Sequence, residues 1–161
     1  IAMALSSNPD LLIADEPTSS VDVTIQAQIL RRLHEIKNQR SVAVLLITHN
    51  MGIVAETCDR VGVMYAGSVV ERGFVRKILK KPYHPYTKGL LAAIPKPETR
   101  RKRLFVIKGF IPDLINRPPG CSFHPRCPYA KGICREKKPF TEEVEPDRYV
   151  ACHFVKEMMA A

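Results

Sequence analysis

Tryptophan is absent from this chain of 161 residues, and so is any long apolar run. The longest aliphatic stretch, Val42-Ala43-Val44-Leu45-Leu46-Ile47, is six residues, far below the roughly 20 that a membrane-crossing helix needs. The opening residues, Ile1-Ala2-Met3-Ala4-Leu5, carry no basic leader of the signal-peptide kind. These absences lead to the expectation of a soluble, cytoplasmic chain. The short C-x₂₋₄-C knuckles of common zinc sites are also missing, although five cysteines are present. Hydrophobic residues at 45% and charged residues at 25% describe a globular chain rather than a disordered one. The length suits one ordinary domain, or part of one with a small appendage.

Charge is unevenly placed. The formal net charge is +9, yet Arg72 to Lys108 alone hold twelve Lys/Arg against one acid, Glu98. Aromatics are not interleaved with these cations as base stacking would need, so no nucleic acid is expected. The block reads first as a solvated face and second as a surface drawn to anionic lipid.

The chain is organised around Leu11-Leu12-Ile13-Ala14-Asp15-Glu16-Pro17. A short apolar run closed by Pro reads as a buried strand of a parallel sheet. Chemistry in such sheets sits at the carboxyl ends of the strands, where Asp15 and Glu16 fall. Their side chains point to opposite faces, so one can hold a metal ion while the other faces water. That arrangement gives Asp15 a place on Mg²⁺ and makes Glu16 the candidate general base. Asp22 is placed to cap a helix whose apolar positions are Ile25, Ile29, Leu33 and Ile36. A second strand, Val42 to Ile47, then delivers Thr48-His49 to the same sheet edge. Strand, helix and strand form a crossover onto a parallel sheet. Taken alone, His49 reads as often as a mere helix cap or surface residue as it does as a group that reaches a terminal phosphate.

Further along, Met51 to Cys58 reads as a short helix, with Cys58 a buried apolar residue. Arg60 to Tyr65 and Ser68 to Glu71 form a hairpin across Ala66-Gly67, which Gly73 closes. Val75 to Lys80 forms a helix, and Pro82 to Leu91 a turn leading into another that ends at Pro95. Eleven of the thirteen prolines lie at or beyond Pro82, a change of texture that places a boundary between 1–81 and 82–161. Arg100 to Arg103 reads as an exposed linker, Leu104 to Ile107 as a strand, and Pro112 to Gly120 as irregular chain.

Four cysteines follow, Cys121, Cys127, Cys134 and Cys152, separated by five, six and seventeen residues. Disulfides are disfavoured by the expected compartment. An iron-sulfur cluster, a zinc ion (with His124 or His153 replacing a thiol) and no metal at all remain open on spacing alone. Cations among the cysteines would suit the net negative charge of a thiolate-held cluster.

Leu11 to Glu16 as a Walker B strand, Ser19 to Asp22 as a D-loop and His49 as a switch histidine resemble the ATP-binding subunits of ABC transporters. Cys121 to Ala130, Cys134, Val150 to His153, and His84 to Leu91 resemble the C-terminal extension of the peptide-importer members of that family. The resemblance implies an α/β fold: the C-terminal part of a P-loop ABC ATPase domain over 1–81, with a Pro/Cys-rich extension over 82–161. It implies an ATPase energising uptake of dipeptides or oligopeptides, with ATP and Mg²⁺ as cofactors. Asp15 would bind Mg²⁺, Glu16 polarise water, His49 contact the γ-phosphate and Asp22 couple two sites across a dimer. Cys121, Cys127, Cys134 and Cys152 would hold a [4Fe-4S] cluster, with Zn²⁺ the alternative. A second ATPase subunit, membrane permeases and, indirectly, an extracytoplasmic peptide-binding protein are the implied partners, at the cytoplasmic face of the cell membrane. None of the eight glycines precedes a Lys, so the phosphate loop G-x-x-x-x-G-K-[ST] is missing, as is the family's signature motif. The chain is therefore expected to be part of a longer protein and inactive alone. Two departures stand out: the D-loop reads Ser-Ser-Val-Asp rather than Ser-Ala-Leu-Asp, and Phe74 replaces a small or polar residue. The rival reading is a non-transport ABC ATPase, or an iron-sulfur or zinc module acting on nucleic acid.

Overall fold

In the computed structural model, residues 2–40, 42–95 and 105–160 are described. The chain divides into two compact units, Ile1–Cys58 and Asp59–Ala161. None of the described helices is long and apolar enough to cross a membrane.

The N-terminal unit contains α1 (Ala2–Leu5), β1 (Leu11–Asp15), α2 (Val23–Arg40), β2 (Ala43–Ile47) and α3 (Met51–Thr57). β1 and β2 pair in parallel from Leu11 opposite Ala43 to Asp15 opposite Ile47. On one face Leu12 and Ala14 meet Leu5, Leu33, Ile36, Val42 and Ile29 to form the core. The period-2 alternation of a strand puts Leu11, Ile13, Leu45 and Ile47 on the opposite face, and all four are exposed. The helical stripe differs from the expected one at its start. Ile25 is 41% exposed, and the buried positions are Leu30, Leu33 and Ile36. Among the described residues this sheet has two strands, and Val23 and Ile25 in the first turn of α2 are exposed. Asn50 caps α3 by accepting from Gly52 N and Ile53 N. Cys58 is half-buried rather than fully buried.

The C-terminal unit is built on a four-stranded antiparallel sheet of order β3-β4-β6-β5. Its strands are β3 (Arg60–Tyr65), β4 (Ser68–Phe74), β5 (Glu142–Glu145) and β6 (Arg148–Val150). The β3–β4 turn has Ala66 at φ 45° and Gly67 at φ 73°, the positive pair that suits a two-residue hairpin. β4 runs through Gly73, which pairs with Val61, to Phe74, so the hairpin is longer than expected. A Cβ on Gly73 would lie 3.2 Å from the Asp147 carbonyl, and its absence lets the strand pass the β5–β6 turn. Around the sheet lie α4 (Val75–Lys80), α5 (Pro85–Ala92), a 3₁₀ turn at His124–Arg126, α6 (Gly132–Glu136) and α7 (Val155–Ala160). One core cluster joins Val63, Tyr65, Val70 and Phe123, with Tyr86, Leu90 and Ile107 against it. Another joins Tyr83, Val150 and Val155.

The expected strand at Leu104 to Ile107 does not form over Phe105 to Ile107, where the chain is irregular; Leu104 and Arg100 to Arg103 lie outside the described residues. The carbonyls of Ile107 and Lys108 accept from the Arg126 guanidinium at 2.9 and 3.1 Å, in place of a sheet ladder.

A buried polar network ties the sheet to the turn before α5. The fully buried Glu71 carboxylate accepts from Arg148 at 2.7 Å, Tyr83 N at 3.0 Å and His84 N at 2.9 Å. The Arg148 guanidinium stacks 3.6 Å from the Tyr83 ring centre and also donates to Lys81 O. Tyr83 donates its hydroxyl proton to Glu145, which holds the Glu145 carboxyl below, and the Tyr83 phenol above, its ordinary value.

Candidate functional site

Each unit gathers one set of chemistry-bearing side chains. In the N-terminal unit, β1 ends at Asp15 and the chain turns at Glu16 with φ 43°, a costly conformation for a residue with a Cβ. The Glu16 N–H donates to Ile47 O at 2.9 Å and so holds the turn to the end of β2. Pro17 has no N–H to carry the ladder further. The Glu16 carboxylate consequently reaches the residues that follow β2. Its Oε1 accepts from His49 N at 3.1 Å and lies 2.7 Å from His49 Nδ1, while Oε2 accepts from Ser19 Oγ at 3.1 Å.

A carboxylate can only accept, so Nδ1 carries the proton and Nε2 is the polar atom left at the ring's other edge. The side chain of His49 is 85% exposed. Its hydrogen bond is the main reason the Glu16 carboxyl is held below its ordinary value, with Ser19 adding to the effect. Glu16 is therefore an ionised proton acceptor near neutrality. Asp15, at the end of the exposed face of β1, is open to solvent. Asp22 Oδ1 accepts from Thr24 N and Ile25 N, both at 2.9 Å, so it caps α2 as expected. The structure thus brings Glu16 and His49 into direct contact.

In the C-terminal unit, Cys121, Cys127, Cys134 and Cys152 line one cavity of about 20 Å³, the room of roughly one water molecule. Three loops and α6 supply them, and the N–H of Cys121 donates to Cys134 O at 2.9 Å. Gly120 permits that approach. It has φ 72°, and a Cβ there would sit 2.5 Å from Cys134 O. Burial pushes the Cys127 thiol up to about 11, and the nearby thiols add to it. Burial likewise raises Cys121 and Cys152. Protonated thiols carry no charge to draw them onto a common centre. Among the described residues no group of three or more His, Cys, Asp or Glu side chains is arranged to hold a metal ion. In kind, four sulfur donors with no carboxylate in the lining suit a thiophilic metal group, which would bind by displacing the thiol protons.

Sequence reasoning missed His84 as a member of this cavity. It is 1% exposed, and its Nδ1 accepts from Tyr86 N at 3.1 Å to cap α5. Burial lowers its pKa to about 4, so it is neutral. The His-Pro-Tyr sequence is a recognisable helix start, but nothing local points His84 to cysteines far along the chain. His124 Nδ1 and His153 Nε2 contact the carbonyls of Cys121 and Lys137.

Comparison with known proteins agrees with both halves. The family model of the oligopeptide/dipeptide transporter C-terminal region matches residues 70–134, a span that contains three of the four cysteines and leaves Cys152 outside. A probable peptide ABC transporter ATP-binding protein of Sinorhizobium fredii is 51% identical over 94% of this chain and 46% of its own length. The oligopeptide transport ATP-binding protein OppD of Salmonella typhimurium is 47% identical over 94% of this chain and 45% of its own. AppD of Bacillus subtilis, also an oligopeptide transport ATP-binding protein, is 47% identical over 98% and 48% respectively. The chain spans about half the length of the curated relatives it matches. Over nearly its whole sequence it is similar to the ATP-binding proteins of peptide ABC transporters.

Proposed function

We propose that this chain is the C-terminal part of an ATP-hydrolysing subunit that energises import of dipeptides or oligopeptides through a membrane permease. The Glu16–His49 contact carries the reading: two strand ends deliver an ionised carboxylate and an exposed imidazole to one point. Asp15 would hold Mg²⁺, which supplies charge neutralisation for the transferring phosphoryl group. Glu16 takes the proton of the attacking water. With His49 Nδ1–H committed to Glu16, Nε2 is the atom available to a phosphate oxygen, and it must be protonated to donate there. Asp22 fixes the start of α2 and would face the second site of an ATPase dimer. The missing phosphate loop would come from residues beyond this chain, further strands would pair along the edges of β1 and β2, and their exposed apolar face offers a surface for another packed layer. The protein would work on the cytoplasmic face of the membrane with a second ATPase subunit, two permeases and an extracytoplasmic peptide-binding protein.

Glu16→Gln in the intact protein tests this. Turnover should disappear while ATP binding persists, since Gln keeps the shape but takes no proton. Near-normal hydrolysis would remove Glu16 from the role.

The reading extends to Cys121, Cys127, Cys134 and Cys152 as ligands of a structural [4Fe-4S] cluster, with Zn²⁺ as the alternative. Four thiols in the lining of one cavity support it by kind of donor, not by arrangement. Anaerobically purified protein should carry about four iron and four sulfide per chain. One zinc without sulfide would replace the cluster by the ion, and an absence of both would end the metal reading.

A further inference from the structure

The segment from Phe105 to Arg117 departs from the way a globular surface treats apolar side chains. Phe105, Val106, Phe110, Ile111, Leu114 and Ile115 are all exposed, Phe110 at 95% and Ile115 at 90%. Scattered exposed leucines need no explanation, but six large apolar side chains on one short segment do. The base of this segment is fixed. Ile107 packs against the cluster of Val63, Tyr65, Val70 and Phe123. Arg126 grips the carbonyls of Ile107 and Lys108. Gly109 then turns at φ 82°, and Phe110 and Ile111 beyond it are exposed.

Charge on the segment is of both signs, two cations against one acid, a net of +1. Lys108 and Arg117 flank the apolar tip, and both are exposed. The single acid, Asp113, is occupied locally: Oδ1 accepts from Ile115 N at 2.8 Å and Oδ2 from Asn116 Nδ2 at 3.2 Å. In sequence the segment follows directly on Arg100-Arg101-Lys102-Arg103-Leu104.

We propose that residues 105–117 form an anchor on a bilayer surface that contains anionic phospholipid. Large apolar side chains with interleaved cations are the combination that binds at the headgroup level. The segment has no regular secondary structure, so its backbone groups need water or headgroups and cannot enter the hydrocarbon core. Its depth is therefore set: Phe110 and Ile115 reach the acyl boundary while Lys108 and Arg117 stay with the phosphates. The anchor goes beyond the transport reading and needs no ATP, so its failure is distinguishable from failure of the Glu16 test.

The experiment is co-sedimentation of the intact protein with vesicles, of phosphatidylcholine alone or with phosphatidylglycerol added. Binding should appear on the anionic vesicles, weaken with salt and be far lower on the neutral ones. Phe110→Ser with Ile115→Ser should reduce partitioning roughly 100-fold, from lost apolar burial. Lys108→Glu should reduce it roughly tenfold. These side chains are exposed, so the variants should keep the wild-type tyrosine circular dichroism. Equal binding to both vesicle types, no binding, or undiminished binding by the double Ser variant would each overturn the proposal. So would a double Ser variant that changes oligomeric state without changing vesicle binding, since that would assign the surface to a protein contact.

Discussion

Replacing Glu71 by Ala is the sharpest test of how the C-terminal unit holds together. The carboxylate is fully buried and takes three charge-assisted hydrogen bonds, from Arg148, Tyr83 N and His84 N. Alanine leaves those donors without their acceptor. Arg148, whose side chain is 2% exposed, would keep Lys81 O and a 3.5 Å approach to Glu145, with its Nε already unpaired. Breaking a buried pair in this way costs about 3–5 kcal/mol, against a total of about 5–15 kcal/mol for an ordinary domain. The unit should sit near its unfolding threshold. Arg148→Met should cost less, because Glu71 keeps two backbone donors. Glu71→Leu with Arg148→Met should cost less than the sum of its single changes, since no buried charge is left alone. Urea unfolding followed by tyrosine near-ultraviolet circular dichroism reports on this unit alone. All five tyrosines (Tyr65, Tyr83, Tyr86, Tyr129 and Tyr149) lie in it, and the chain has no Trp. A loss below about 1 kcal/mol for Glu71→Ala, the size of an ordinary neutral hydrogen bond, would refute the reasoning, as would strict additivity in the double variant.

Two further outcomes follow from the cysteine cavity. His84 is neutral in the fold, with its pKa lowered to about 4 by burial from an ordinary 6.5. The unfolded chain therefore binds the extra proton first as pH falls, and His84's contribution to stability, complete above pH 6.5, should be lost progressively down to about 4. His84→Asn, which can still cap α5, should flatten that slope in urea midpoints measured across the range; an unchanged slope would assign it to other groups. Gly120→Ala should separate Cys121 from Cys134, because its Cβ would meet Cys134 O at 2.5 Å and φ is 72°. The shielded thiols should then react faster with iodoacetamide near neutral pH, and wild-type reaction rates would count against the close approach.

Local pattern sufficed where an element is defined by its own residues. The apolar runs of β1 and β2, closed by Pro17 and by Thr48-His49, are legible as strands without a partner in view. Ala66-Gly67 names its own turn, and Asp22 announces the helix it caps. Elements that depend on distant partners were not legible. Phe105-Val106-Ile107 has strand composition, yet Arg126 and the space above Gly89, where Ile107 packs closely, hold it as irregular chain. Glu142 to Glu145 lacks strand composition and becomes β5 because β6 offers it an edge. At the candidate sites, Asp15, Glu16 and His49 were readable from strand ends, whereas the contact between Glu16 and His49 needed the positive φ at Glu16. The four cysteines were readable as a group, but the hydrogen bond that draws two of them together depends on a glycine outside any motif.

The strand order β3-β4-β6-β5 has a consequence for anyone who would shorten this protein. The Pro-rich tail invites removal at Pro82, where the composition changes. Cutting there would strip β6 from β4, leaving the Val70 carbonyl without the Ala151 N–H and a bare strand edge of the kind that recruits other chains. The same cut would leave buried Glu71 without the Arg148 guanidinium. A shortened version should therefore aggregate. The tail supplies β5 and β6 to the sheet that β3 and β4 begin.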